Sequence, residues 1–509
     1  MKLFIFNGDI LYKIQCIFLA LAIITEPIYA LPERFQFPLL GGKLTNYFVV
    51  VGLIVGVIDI VVFKKKIPKK IMLFLGILIS WSILTEIHGL WIYPYYNEIN
   101  PEGSRKLSAL INFLQNQGIK GNTKIWLEYF WLGARGLNNT IKELIYSFFV
   151  SIWVILLFKK SYIEGFCKIR KYVVILAFIL GVYAIPEVLL FKFHMKIGYN
   201  ILSITNPYLY DVGKYLGWYP PLIWQNNQLR SYCTEPSLFG FLAASILPFA
   251  WSYFIKKIRF STCILYSYFV MLLFMTKSRT ANAIALFDTF SLFIVALKSK
   301  WRRSIGILIT LTFIGSCANI ALNFVPQLSL TPETEKEETF AAYYNDNMKS
   351  IVLKDSRSNG SRLINIKAHL RVFIEHPVLG VGHDLQDGYV RDHLAQGDLH
   401  NEEIRNISNS FNEKGPLGPV SFGNVNHYVY ILVNTGIVGL GLYLLPFVYV
   451  LYKAVKLKLW YDFRIIVLII ALLGNLMAQL AGEGMLLLYV ILGLMYIVVE
   501  NKSNVKDEL

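Results

Sequence analysis

Runs of about 20 apolar residues recur between residues 10 and 499, and they restrict the fold more than any other feature. A helical run of that length spans ~30 Å of hydrocarbon. No water meets unpaired amides and carbonyls inside a bilayer, so each run must close its hydrogen bonds within itself. Composition agrees: 55% hydrophobic, 15% aromatic and 16% charged is too apolar for a soluble enzyme of 509 residues. The expected class is an all-α polytopic membrane protein with about 12 transmembrane helices and one large extracytoplasmic loop containing short helices. Spans are expected near 10–31, 45–63, 71–92, 139–158, 172–191, from 235, 260–276, 280–297, 304–324, 429–452, 464–481 and 485–499. The chain divides into 1–324 (nine spans and two smaller outer loops), 325–428 (the large loop) and 429–509 (three spans and a tail).

The net charge of +16 raises the question of nucleic acid, and its distribution answers it. Five short loops, 64–70, 159–171, 256–259, 298–303 and 453–464, hold 21 lysines and arginines against two acids, Glu164 and Asp462. That is the bias of cytoplasmic loops, and no basic footprint for nucleic acid is left over. It puts both termini in the cytoplasm and the long loop outside. Residues 1–31 read as an uncleaved first helix, because the charged start is weak and no small-residue cleavage site follows. The terminal Lys506, Asp507, Glu508 and Leu509 spell a luminal retention signal, but a cytoplasmic tail cannot present one, so the match is read as chance. The five cysteines are scattered and form neither a disulfide framework nor a metal spacing.

Residues 325–428 are the one long polar stretch, and they begin the search for chemistry. Together with the loop exit they hold six of eight histidines: His369, His376, His383, His393, His400 and His427. A connection this long favours function. A helix start is expected at Thr331 and Pro332. A second helix is expected from Ser361 to His376, stopped by Pro377. Its apolar face would be Leu363, Ile366, Leu370 and Phe373, with Arg362, His369 and His376 on another stripe.

Three arginines mark the outer membrane face. Arg230 stands before a span that opens with Glu235, Pro236 and Ser237, Arg279 closes a span, and Arg362 begins the loop helix. The plainer reading is snorkelling for the first two and a solvated helix residue for Arg362. The sharper reading is an anion site, since guanidinium forks match phosphate oxygens. His427 sits where the loop re-enters the membrane, placed either as an interfacial polar residue or as a proton acceptor. The other loop histidines are weaker candidates, and their seven-residue spacing is not a metal-ligand pattern. Asp59, Glu86, Glu187 and Asp288 lie in or near spans, where acids are functional suspects, although Glu86 and Glu187 could reach water at their helix ends. There is no Asp-x-Asp pair to hold the metal of a nucleotide-sugar donor.

In order, the pieces resemble the O-antigen polymerase and O-antigen ligase superfamily of bacterial envelope glycan assembly, over about 225–445. The resemblance rests on Arg230 with Glu235, Pro236 and Ser237, then Thr276, Lys277, Ser278 and Arg279, then Gly360, Ser361 and Arg362. Glu375, His376, Pro377, Val378, Leu379, Gly380, Val381 and Gly382 follow, and Asn426, His427 and Tyr428 lead into Asn434, Thr435, Gly436, Ile437, Val438, Gly439 and Leu440. The family commonly has His-Asn at the loop exit, where this chain has Val425 and Asn426. Either His427 substitutes, or the base is His400 or a carboxylate. The resemblance implies inverting, metal-independent glycosyl transfer without a cofactor, in the bacterial plasma (inner) membrane. The donor would be an undecaprenyl-diphosphate-linked oligosaccharide reached from the membrane lipid. A chain-length regulator is a further candidate partner. His427, Arg279 and Arg362 would be catalytic, and Arg230, Glu235, Arg279, Arg362 and His376 would bind diphosphate and sugar. A polysaccharide polymerase of the Wzy type is the expected function. An O-antigen ligase acting on lipid A-core or protein is the alternative within the class, and a flippase for lipid-linked units is the rival outside it.

Overall fold

A computed structural model describes residues 8–37, 40–118, 123–210, 223–224, 227–256, 258–297, 301–322, 357–418, 420–482 and 484–507. The helix start expected at Thr331 and Pro332, and Trp218, Tyr219, Pro220 and Pro221 of the second outer loop, lie outside those residues.

All regular structure among the described residues is helical. In chain order come α1 (Gly8–Ile24), α2 (Leu44–Phe63), α3 (Lys69–Ile92), α4 (Arg105–Asn116), α5 (Thr123–Tyr146), α6 (Phe148–Phe158), α7 (Tyr162–Phe193), α8 (Lys196–Thr205) and α9 (Pro236–Lys256). Then follow α10 (Phe260–Met275), α11 (Arg279–Leu297), α12 (Arg302–Ala321), α13 (Arg357–Glu375), α14 (Gln386–Asp392), α15 (Glu402–Lys414), α16 (His427–Lys456), α17 (Phe463–Ala478) and α18 (Leu486–Asp507). Every expected span falls on a helix. Nine helices among the described residues are long and apolar enough to cross a membrane, and Phe260–Met275 and Leu486–Asn501 are apolar but shorter.

Two boundaries differ from the sequence reading. The first helix ends at Ile24 rather than near 31, because Pro27 cannot continue it. The fourth expected span, 139–158, is the inner part of a longer helical stretch, Trp126–Phe158, which breaks at Ser147 (φ −115°, ψ −95°). Much of the expected first outer loop is therefore helix.

Among the described residues, buried apolar side chains form two clusters. The large one joins the spanning helices, with Leu19, Val49, Phe166, Phe239, Ala281, Val467 and Leu494 among its members. The smaller one lies on the side expected to face outward and is called the outer unit. It draws Tyr93, Tyr95, Leu107, Ile111 and Leu132 from before the fourth span and Ala368, Val372, Tyr389, Ile404 and Phe422 from the long loop. Arg391 clamps the two parts, with Nη1 and Nη2 donating to the Glu98 carboxylate at 2.5 and 3.0 Å. The amphipathic α4 fits this unit: Leu107 and Ile111 are buried while Phe113 faces out.

The face of α13 is a correction. Leu363 and Leu370, expected inside, are 42% and 37% exposed, whereas Ser361, Asn365, Ala368, His369 and Val372 are buried. The buried polar groups have partners that sequence periodicity does not reveal. Ser361 Oγ donates to Glu403 at 2.7 Å, and the Asn365 amide donates to the Phe422 carbonyl. His369 Nδ1 meets the Asn365 carbonyl at 2.9 Å. Small Ala368 also lets the helix approach its neighbours more closely than a leucine face would.

The outer unit is sewn to a spanning helix through backbone. Helix α16 is interrupted at Gly436 (φ 69°, ψ −174°). Alongside, the Val381 and Gly382 amides donate to the Val433 and Asn434 carbonyls at 2.8 and 3.0 Å, and the Ile437 amide donates to the Pro377 carbonyl at 2.9 Å. Buried irregular backbone needs such partners.

Candidate active site

Four structural units converge beside the fourth span: α3, α5, the turn after α13, and the start of α16. Arg135, Asn139 and Glu143 recur every four residues on α5 and so share one face. Arg135 Nε lies 3.7 Å from the Asp384 carboxylate, and the Asn139 amide donates to the same carboxylate. These contacts hold Asp384 at a left-handed φ of 60°, which fixes the turn carrying His383. From α3, the buried Glu86 accepts the His383 backbone amide at 3.0 Å.

Glu143 lies between two imidazoles. His383 Nδ1 is 4.0 Å from Oε2, and His427 Nε2 is 3.8 Å from Oε1. Asn426 caps α16 by accepting the Tyr428 and Val429 amides at 3.1 and 3.2 Å, which places His427 at the first helical position. The Asn424 side-chain amide meets His427 Nδ1 at 2.9 Å, and Tyr443 packs edge-on against the ring with centroids 5.3 Å apart. Nearby, Asp387 accepts from Ser421 Oγ at 2.9 Å and from the Phe422 amide at 3.2 Å. Burial raises the Asp387 carboxyl to about 6, against the opposing pull of those bonds and of Arg135.

The expected arginines are distributed differently. The Leu229 amide donates to the Met275 carbonyl at 3.1 Å, and a Cβ on Gly240 would stand 2.8 Å from Ala281 Cα. Arg230, Glu235 and Arg279 therefore sit at one end of adjoining helices. Arg230 is fully buried. Its guanidinium lies 4.3 Å over the Tyr210 ring, and its own amide and that of Ser231 donate to Glu187 at 3.1 and 2.7 Å. Arg279 and Glu235 are half-buried, and Glu235 accepts from Ser237 Oγ at 3.1 Å. Arg362 is exposed on α13, whose buried face belongs to the outer cluster rather than to the helices carrying Arg230 and Arg279. His376 is half-buried, edge-on to Tyr389 at 5.4 Å, and burial pulls its pKa down. His393 pairs with Glu375 at 2.8 Å, and His400 is exposed.

His369 carries a pH prediction. Burial holds its imidazole down at about 4, against the usual 6.5. Between those values the folded state binds fewer protons than the unfolded chain, so stability falls as pH drops below 6.5. Going from pH 7 to pH 5, His369→Gln should remove about 2 kcal/mol of the destabilisation seen in the wild type. Unfolding midpoints at both pH values check this, and equal pH responses in the two proteins would count against it. Asp387 acts oppositely: its raised pKa favours the folded state at low pH and loses that advantage as pH rises through about 6.

Glu143 was not among the residues singled out from sequence. The four-residue spacing of Arg135, Asn139 and Glu143 at the mouth of an apolar run is the signal that points to it.

Fold and site together define a multi-pass, all-helical membrane protein with a polar cluster where an outer helical unit meets the spans. Residues 263–444 match the family model described as O-Antigen ligase, which supports placing the chain in the O-antigen polymerase and ligase superfamily. The matched stretch includes Arg279, Arg362, His376, His383 and His427, and leaves out Glu143, Arg230 and Glu235. No curated protein matches the chain.

Proposed function

We infer that the protein is a polysaccharide polymerase joining undecaprenyl-diphosphate-linked repeat units at the outer face of the bacterial plasma membrane, with both termini cytoplasmic. The observation that carries the glycosyl-transfer part of this reading, common to polymerase and ligase, is the O-antigen ligase match over 263–444, the stretch that supplies His383 and His427 to the polar cluster. An acceptor sugar hydroxyl attacks the anomeric carbon of the donor with inversion, and the lipid diphosphate leaves. Leaving-group charge needs donors fixed in advance. Arg279, half-buried at the start of α11, takes the diphosphate directly, while Arg362, exposed on α13 in the other cluster, is assigned to the same anion by the resemblance alone. Arg230 supports that end of the bundle from within, and Glu235 and His376 border the sugar path. The hydroxyl proton goes to the cluster around Glu143.

Polymerase is preferred to ligase because the opening of the span by Glu235, Pro236 and Ser237 resembles polymerases more than ligases. Surface glycan from a deletion strain tests the choice on a gel. A single repeat unit on the acceptor supports the polymerase. Full-length chains left on carrier lipid make it a ligase, and an unchanged pattern removes both. Complementation with Arg279→Ala should likewise leave single repeat units, and chains of normal length would overturn the role given to Arg279.

A further inference from the structure

Glu143 and its two imidazoles differ in exposure in a way that bears on proton transfer. The Glu143 side chain is 33% exposed, while those of His383 and His427 are 7% and 6% exposed. Of the three groups, only the carboxylate has substantial surface open to an incoming hydroxyl. The His427 ring is also turned against accepting a proton. With the Asn424 amide nitrogen set against Nδ1 at 2.9 Å, that ring nitrogen accepts and the neutral tautomer carries its hydrogen on Nε2, the edge that faces Glu143 Oε1; a turned amide would reverse this. His383 faces the other oxygen, and its backbone is pinned by Glu86.

We propose that Glu143 is the general base of the transfer and that His427 and His383 are positioning residues that hold its carboxylate. This rests on the glycosyl-transfer reading above. In the step, the acceptor O–H proton passes to a Glu143 oxygen as the acceptor oxygen bonds to the anomeric carbon. The bond from that carbon to the diphosphate oxygen breaks, and its electron pair leaves on the lipid diphosphate. Glu143, now a carboxylic acid, returns its proton to outside water through its exposed edge. The two imidazoles flank the carboxylate at 4.0 and 3.8 Å and narrow the space its side chain can take on α5, which presents its basic oxygens from a restricted set of rotamers.

The experiment uses the full-length protein in lipid nanodiscs, with the lipid-diphosphate-linked units accumulated by the deletion strain as both donor and acceptor. Initial rates and donor retention are measured together. Glu143→Gln is expected to lower the rate about 100-fold with donor retention unchanged, the scale of losing a general base. Glu143→Asp should recover part of the rate, and formate added to Glu143→Ala should raise its rate by roughly tenfold, because a small carboxylate can occupy the vacated space. His427→Gln should cost about tenfold, less than Glu143→Gln, as fits a residue acting through another. A Glu143→Gln rate within about threefold of wild type overturns the assignment. So does a rate that falls in step with donor retention and does not respond to formate, which marks a structural role. A wild-type protein that joins no units removes the polymerase reading and this assignment with it, whereas an active wild type with an active Glu143→Gln removes the assignment alone.

Discussion

Gly436→Ala is expected to destabilise the protein by an amount on the order of 3 kcal/mol, and Gly380→Ala by a similar amount. Both glycines have positive φ, 69° and 68°, where a side chain is strained. A Cβ at Gly436 would stand 1.9 Å from the Val378 carbonyl oxygen, and one at Gly380 would stand 2.5 Å from the Val433 carbonyl oxygen. Neither obstacle is a flexible side-chain end, so the two backbones must separate and their shared hydrogen bonds must lengthen. Gly441 is the matched control, because it lies in the same helix and a Cβ there would meet nothing within 4 Å. Yield of monodisperse protein from detergent and its thermal midpoint measure the effect. Gly436→Ala behaving like Gly441→Ala would refute this account of the junction.

Arg230→Ala should fail for a different reason than Arg279→Ala. Arg230 is fully buried against Tyr210, and its charge acts on Glu187, itself fully buried. Arg230→Ala withdraws a buried charge that favours ionised Glu187 and empties the space beneath Tyr210, which costs on the order of 3 kcal/mol even though the backbone amides of Arg230 and Ser231 still donate to Glu187. Arg230→Ala should therefore lose folded protein, and Glu187→Ala should do the same. Arg279, half-buried at its helix end, should give normal amounts of an inactive protein when changed to alanine. Quantifying membrane-inserted protein beside glycan chain length separates the two cases. Wild-type levels of stable Arg230→Ala protein would contradict the internal role assigned here.

The membrane architecture was legible because length and apolarity act locally: each run satisfies its own backbone, whatever its neighbours do. The errors fell where a local rule met another constraint. Pro27 cut the first helix short, and Leu363 and Leu370 lost the inner face of α13 to Ala368 and Val372. Two motifs quoted separately, the Gly380 turn and the Gly436 helix, are in fact two sides of one junction. Their glycines were visible in the sequence, but the contact between them is a long-range fact. The site was partly readable. His427 belongs to the cluster, but its partner Glu143 comes from residues more than two hundred positions earlier and was hidden at the start of an apolar run. Arg362 is grouped with Arg230 and Arg279 by the sequence, and α13 packs in a different hydrophobic cluster, so any shared role for the three depends on long-range placement that periodicity does not carry.

The backbone seam at Gly436 also bears on biogenesis. Residues 377–382 leave the ribosome before 433–437, so the Val381 and Gly382 amides have no acceptors until α16 has been made. The interruption in α16 likewise leaves Ile437 without the Pro377 carbonyl until that earlier segment comes back to the membrane. Neither half can be completed alone. Maturation of the outer unit thus waits on insertion of the tenth expected span, and a chain stalled before that point presents an unfinished surface to quality control.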